Sequence, residues 1–133
     1  MSHFTTITTS IVSVDHLKKA LHDMGFAEVE VHDTPQALYG FLTKSAAEVI
    51  MRRHSFGSLK GDIGFRRGKD GRFDAIITTD DRNTFDGRWL DRLTQRYAYH
   101  VTKDSLQQQG FDLVEETTHR NGAIQLTLRR MGN

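Results

Sequence analysis

The chain has 133 residues, of which 37% are hydrophobic and 26% are charged, and its formal net charge at pH 7 is +1. These values fit one folded domain covering residues 1–133, and they give no global field that would attract nucleic acid or an anionic membrane. The absence of cysteine excludes disulfides and thiolate chemistry, and no apolar run approaches the ~20 residues that cross a bilayer.

The first segment predicts a β-strand. It begins MSHFTTITTS and lacks the basic segment and apolar stretch of a secretory signal, so we expect a soluble, cytoplasmic protein. Ile7, Thr9 and Ile11 alternate as residues on one face of a strand do.

An amphipathic helix should follow this strand. Ser13 fits its N-cap, since a serine hydroxyl can accept a hydrogen bond from a free backbone N–H of the first turn. Gly25 fits the left-handed residue that ends a helix, and Phe26 fits the hydrophobic contact just beyond it. Apolar residues between them recur at spacings of three and four and form one stripe: Val14, Leu17, Leu21 and Met24.

The middle of the chain predicts several strands. In AEVEVHD, Val29 and Val31 alternate with polar residues and should face the core. The stretch HDTPQ around Pro35 predicts a turn, and ALYGFL and AEVIMRR predict two further strands. The segments DIGFRR and RFDAII, joined by GKDG, predict a hairpin with Ile63 and Phe65 on one face.

A polar loop, TTDDRNTFDG, leads into a second helix from about Arg88 to Gln109. Asp86 suits the N-terminal end of this helix, where a carboxylate is favourable, and Gly110 suits its end. The expected buried stripe is Leu90, Leu93, Tyr97 and Val101.

The last segment, FDLVEETTHRNGAIQLTLRR, predicts a second hairpin. Asn121 and Gly122 are typical of a type I′ turn. Alternation puts three apolar residues on one face: Ile124, Leu126 and Leu128. The edge of QLTLRR could pair across a dimer, against which Arg129 and Arg130 are typical protection, so the oligomeric state stays open.

This order of elements favours an α+β fold, an antiparallel or mixed β-sheet with two main helices packed on one face. A doubly wound parallel fold would need more helices. The predicted core is Leu17, Leu21, Met24, Ile63, Phe65, Leu93, Tyr97, Leu126 and Leu128.

No catalytic motif stands out, so we favour a protein that is not an enzyme. The chain lacks a G-x-S-x-G elbow, and HSFGSLKG lacks the spacing of a phosphate-binding loop. The seven histidines form no pair with metal-ligand spacing, so we expect no metal and no cofactor. A carboxylate group could hold magnesium or act as a general acid, although a solvated, helix-capping loop is the favoured interpretation: Asp74, Asp80, Asp81 and Asp86.

One face of the second helix carries cations and an aromatic ring. Arg88, Arg92 and Arg96 stand four residues apart, and Tyr99 and Lys103 continue the same side. Such a face suits an acidic protein partner, a phosphate or a nucleic-acid backbone, although a merely solvated face has the same pattern.

The N-terminal His3 and Phe4 could extend that surface. His3 could instead converge with Tyr97 and His100 on a small-ligand pocket between sheet and helices. A histidine there could exchange protons near neutral pH. Only the three-dimensional arrangement decides whether these side chains meet.

Six stretches resemble one known family in the same order along almost the whole chain. They are MSHF, VDHLKKALHDMG, GDIGFRR, TQRYAY, QGF with VEE shortly after it, and NGAIQLTLRR. Together they resemble the hypothetical chloroplast reading frame thirty-five family, a domain of unknown function found in algal plastids, cyanobacteria and other bacteria. The resemblance implies no catalytic residue. It implies that related bacterial genes lie beside genes for AAA+ ATPases. It also implies that the algal relatives are located in the plastid stroma.

We therefore expect a non-enzymatic accessory or adaptor module that binds a protein partner, with an AAA+ ATPase as the partner that the resemblance implies. Nucleic-acid or nucleotide binding through the basic and aromatic helix face is the first alternative. A small-ligand pocket or an enzyme that uses the histidine and tyrosine side chains is the second. We expect no membrane association.

Overall fold

A computed structural model of the chain describes residues 3–40, 44–57 and 60–130. Over these residues, two α-helices and seven β-strands are joined by loops that include short 3-10 turns at Arg53–Ser55 and Asp81–Asn83. In chain order the main elements are β1 (Phe4–Thr8), α1 (Val14–Asp23), β2 (Glu30–Leu38), β3 (Ser45–Met51), β4 (Ile63–Arg67), β5 (Phe73–Thr78), α2 (Gly87–Gln108), β6 (Phe111–Thr118) and β7 (Ile124–Arg130).

Strands β1 to β5 form one antiparallel sheet in the order β1-β5-β4-β3-β2, while β6 and β7 form a separate two-stranded sheet. Both helices pack on the same face of the larger sheet. There Leu17 of α1 and Leu93 of α2 share a core with Phe65 and Phe73 of the strands. The α+β class with two helices on one face is therefore confirmed, and the sheet pairs are antiparallel.

Helix α1 begins and ends where the local sequence predicts. The Ser13 hydroxyl accepts a hydrogen bond from the His16 N–H at 3.4 Å, which satisfies one free donor of the first turn. Gly25 has a φ of +101°, a left-handed conformation that glycine adopts without steric cost. The Phe26 N–H donates to the Leu21 carbonyl at 3.1 Å, and the Phe26 ring is buried.

Most of the predicted core is buried, including Leu17, Leu21, Ile63, Phe65, Leu93 and Tyr97. Met24 is partly buried and packs against this core. Leu126 and Leu128 are only half-buried, because their strand belongs to the separate hairpin, so their prediction as core is wrong. Val101 is 36% exposed and does not belong to the buried stripe of α2, whereas Trp89, which was not predicted, is buried.

Strand β2 differs most from the prediction. Pro35 lies within the strand rather than in a turn, where the pairing with β3 shifts register between Val31 and Gln36. A proline fits there because β2 is an edge strand and a bulged stretch needs no ladder hydrogen bond. Val31 is 44% exposed, so its predicted core-facing position is wrong, while Val29 packs against the core. Parts of ALYGFL and of the HSFGSLKG loop lie outside the described residues.

The C-terminal hairpin forms as predicted, but its turn is of another type. A type I′ turn needs positive φ at both central residues. Here Gly122 has a φ of +87°, while Asn121 does not have a positive φ. The His119 N–H donates to the Ala123 carbonyl at 2.8 Å, and the Gly122 N–H donates to the His119 carbonyl at 3.0 Å. These bonds describe a longer turn that closes with a glycine bulge.

Candidate interaction surface

Helix α2 carries the cations that the sequence predicted as a partner-binding face. The Asp86 carboxylate accepts a hydrogen bond from the Trp89 N–H at 3.1 Å and so caps the start of the helix. Arg88 and Arg92 stand one turn apart beyond this cap, so they lie on the same side of the helix. Both are exposed, whereas Trp89 and Leu93 are buried in the core.

Arg96, one turn further on, is bound within the molecule. Its Nε and Nη2 both lie 2.9 Å from the Asp23 carboxylate, which joins α2 to the end of α1. Its Nη1 donates to the Glu116 carboxylate on β6 at 3.3 Å. Because this guanidinium already binds two carboxylates, we expect Arg96 to contribute little to the contact with a partner.

Tyr99 is 8% exposed, which corrects its predicted place on a solvent-facing stripe. The Arg96 guanidinium carbon lies 4.4 Å from its ring centroid, and the Lys103 ammonium lies 5.8 Å from it. Burial and a hydrogen bond to the Glu116 carboxylate raise the pKa of Tyr99 to about 12. The neutral phenol therefore helps to hold β6 against α2.

The three residues predicted to converge on a pocket are held by different parts of the molecule. Two backbone N–H groups of the loop before α1 donate to the Tyr97 hydroxyl, at 3.1 and 3.0 Å. The His100 Nε2 lies 2.6 Å from the Asp23 carboxylate at the other end of α1. His3 is exposed beside the start of β1. The contacts described for these three residues link none of them to another.

Two histidine–carboxylate contacts fasten α1 to α2. The His16 Nε2 lies 2.6 Å from the Asp104 carboxylate, and the second contact is that of His100 with Asp23. Burial alone would raise the pKa of Asp23, but hydrogen bonds from His100 and Arg96 outweigh it and lower that pKa. The hydrogen bond from His16 lowers the pKa of Asp104. These histidines thus act as links between helices.

The exposed half of α2 borders a depression of about 560 Å³. Its lining includes Arg88, Asp91 and Arg92 of the helix and Asn121 of the β6–β7 turn. Over the described part of the chain, these two guanidinium groups and the Asp91 carboxylate form no ion pair or side-chain hydrogen bond. Sequence reasoning missed Asp91, although its position three residues after Arg88 places it on the same face.

A buried ionic network where β2 and β3 end and β4 begins was also missed. Asp62 is 1% exposed, and its carboxylate accepts hydrogen bonds from the Tyr39 N–H at 2.7 Å and the Arg53 N–H at 2.8 Å. The Arg52 guanidinium lies 2.9 Å from Asp62 and also pairs with Glu30 at 2.7 Å. The hydrogen bond from Arg52 lowers the pKa of Glu30. No local pattern reveals this network, because its members are far apart in sequence.

Two members of the predicted carboxylate group have structural roles. Asp86 caps α2, and Asp81 accepts a hydrogen bond from the Thr78 hydroxyl at 3.0 Å. Within residues 3–40, 44–57 and 60–130, no three histidine or carboxylate side chains are placed to hold a metal ion together. Neither helix of the described structure is long and apolar enough to cross a membrane.

Comparison with known proteins gives the family. A family model described as "Protein of unknown function (DUF1257)" matches residues 20–127. The chain is 33% identical to "Uncharacterized protein ycf35" of Guillardia theta and 30% identical to that of Cyanophora paradoxa, with 98% of each chain covered. It is 27% identical to that of Pyropia yezoensis over the same share. No solved structure matches. The chain therefore belongs to the DUF1257 family, which confirms the resemblance that its sequence showed.

Proposed function

We propose that this protein is a non-enzymatic accessory module that binds a protein partner through the exposed first half of α2. The observation that carries the proposal is the group formed by Arg88, Asp91 and Arg92. These three charges stand unpaired, over the described residues, beside a wide depression on a capped and well-packed helix. A rigid helix that presents unpaired charges can bind a complementary surface with little loss of conformational entropy.

The charge pattern defines the chemistry of the partner surface. Each guanidinium can hold a carboxylate through two parallel hydrogen bonds, which a lysine in the same place could not do. Asp91 lies beside Arg88 on the helix face and needs a donor from the partner. An acidic protein surface with one amine or amide donor beside its carboxylates satisfies all three groups. An AAA+ ATPase, which the family resemblance implies as a genetic neighbour, is the first partner to test.

Nucleic-acid binding is the alternative use of the same helix. Two of the groups that would have carried it, Arg96 and Tyr99, are engaged inside the molecule. Asp86 and Asp91 line the remaining surface together with Arg88 and Arg92. Carboxylates repel phosphates, so this mixed surface favours a protein partner over a nucleic-acid backbone.

The test is co-purification from the native host, in whose cytoplasm we expect the protein to act. An affinity-tagged wild-type chain is compared with the double variant Arg88→Glu and Arg92→Glu, and with Arg72→Glu as the control. Arg72 is an exposed arginine of the β4–β5 turn, remote in sequence from the surface. We expect one protein to be recovered with the wild type and the control, and to be lost with the double variant.

Equal recovery with all three chains would show that the partner binds elsewhere, and recovery of no protein would contradict an accessory role. Thermal unfolding of each variant checks that the fold is retained, since both substituted side chains are exposed and away from the core. Nuclease treatment before elution separates a bound protein from one that is carried along by nucleic acid.

A further inference from the structure

The β6–β7 hairpin stands apart from the main sheet and lies on α2 as a sheet of two strands. In the described part of the chain, the outer edge of β7 pairs with no other strand. Packing on α2 stabilises this two-stranded sheet, and its unpaired edge is a template for a further strand. The hairpin can therefore accept another strand along β7.

The side chains of β7 leave an apolar crevice open along this edge. Ile124, Leu126 and Leu128 face the same side of the hairpin, and each remains half-buried. Between β7 and α2 lies a crevice of about 230 Å³, whose lining includes Ala98 and Thr102 of the helix. Both of these helix residues are exposed. An added strand would cover the crevice and bury its apolar lining.

The backbone of β7 points the groups needed for pairing towards this open edge. His119 and Ala123 form a hydrogen-bonded pair where the turn closes. In an antiparallel ladder such pairs alternate with pairs whose N–H and C=O groups point away from the partner strand. By this alternation, Ile124, Leu126 and Leu128 present their backbone groups outwards, while Gln125 and Thr127 pair with β6.

We propose that a second copy of this chain adds its β7 antiparallel to this edge, around a two-fold axis at Leu126, to form a four-stranded sheet. In this register Leu126 faces its own counterpart, and Ile124 of one copy faces Leu128 of the other. Opposite residues point to the same side of a sheet, so the apolar faces of both hairpins become continuous. Polar residues meet on the other side, where Gln125 faces Thr127.

The charges at the end of β7 favour this register over one centred nearer the C-terminal end of the strand. With the axis at Leu126, the two Arg129 side chains stand six residues apart along the strand, roughly 20 Å. An axis at Leu128 would bring them within roughly 7 Å, where like charges destabilise a sheet. The arginines therefore disfavour pairing around Leu128 but do not oppose pairing around Leu126.

This inference goes beyond the proposed function, because the dimer uses β7 and the second half of α2. The group formed by Arg88, Asp91 and Arg92 lies on the first half of the helix and does not line this crevice. A dimer would present that group twice. Two copies on one rigid assembly suit a partner that has repeated subunits, since the second contact is then intramolecular.

Because the chain has no cysteine, a single introduced thiol reports the register. In the proposed dimer Leu126→Cys places two thiols directly opposite each other, within the Cα separation of about 4.4–6.8 Å that a disulfide needs. Leu128→Cys is the matched control, since it lies on the same face of the same strand. Its two thiols would stand four residues apart, roughly 14 Å, beyond the reach of a disulfide.

We expect air oxidation to cross-link Leu126→Cys many times faster than Leu128→Cys, as measured by mass spectrometry of the unreduced protein. Equal rates would overturn the register. Wild-type protein is examined in parallel by sedimentation equilibrium, where a monomer at millimolar concentration would overturn the dimer.

Amide hydrogen exchange provides a readout on the unmodified chain. The Leu126 and Leu128 amides should exchange fast in dilute protein and slowly in concentrated protein, whereas the Gln125 and Thr127 amides should be protected in both. Exchange that does not depend on concentration would contradict the proposal. The double variant Arg88→Glu and Arg92→Glu should still dimerise, so the failure of one proposal is distinguishable from the failure of the other.

Discussion

Tyr99 lies where three elements meet, with its ring beside the Arg96 guanidinium and its hydroxyl hydrogen-bonded to Glu116 of β6. Arg96 contacts the same Glu116 and also Asp23 at the end of α1. A guanidinium over an aromatic face adds stabilisation beyond its ion pairs when the group is partly desolvated. These side chains thus form the clamp that holds the hairpin on α2.

The raised pKa of Tyr99 predicts a loss of stability in alkaline solution. The phenol has a pKa of about 12 in the folded chain against 10.0 in the reference state, so folding favours its neutral form. Its stabilising contribution is complete below about pH 10 and is lost as the pH rises towards about 12. Tyr99→Phe should flatten this decline in the free energy of urea unfolding, measured across that range. Tyr39→Phe is the control, because Tyr39 is 54% exposed, and a decline unchanged in Tyr99→Phe would contradict the assignment.

At the scale of elements, helix α2 turns a continuous stripe towards the sheet. Leu93 is fully buried at its centre, whereas Val101, two turns further on, is 36% exposed. Leu93→Ala should therefore lower the free energy of unfolding by about 2–5 kcal/mol, because it leaves a cavity in the core. Val101→Ala should change it by less than about 0.5 kcal/mol. Denaturant titration of both variants checks this, and similar losses would mean that the helix faces another way.

Elements were predictable wherever a local signal specifies them. Ser13 and Gly25 mark the ends of α1, and Asp86 marks the start of α2, because a cap acts on the backbone a few residues away. Strand β2 was less predictable. Pro35 is tolerated there only because the strand lies at the edge of the sheet and bulges, and both are properties of pairing rather than of local sequence.

At the scale of the whole molecule, the contacts that decide the candidate site join residues far apart in sequence. The helical spacing identified Arg88, Arg92, Arg96 and Tyr99 as neighbours, and they are neighbours. It could not reveal that Asp23 and Glu116 would occupy Arg96, because those carboxylates come from α1 and β6. The sequence therefore predicted one surface along the helix. In the folded chain Arg96 and Tyr99 are bound within the molecule, and Arg88 and Arg92 are exposed.

The buried carboxylate of Asp62 provides the sharpest test of such long-range contacts. Its two oxygens accept hydrogen bonds from the Tyr39 N–H, the Arg53 N–H and the Arg52 guanidinium, which together tie the ends of β2 and β3 to the start of β4. Asp62→Asn keeps the shape but replaces one acceptor by a donor that faces these donors, while Arg52 keeps its ion pair with Glu30. A buried donor left without its acceptor costs about 1–3 kcal/mol.

We therefore expect Asp62→Asn to lower the free energy of unfolding by that amount, measured by urea titration at neutral pH. The same change at exposed Asp33 should alter it by less than about 0.5 kcal/mol. A small effect at both positions would show that water reaches Asp62 and that the three strand ends are held by other contacts. A large effect at Asp62 alone would show that one buried charge, invisible to local sequence patterns, fixes the place where β2 and β3 end and β4 begins.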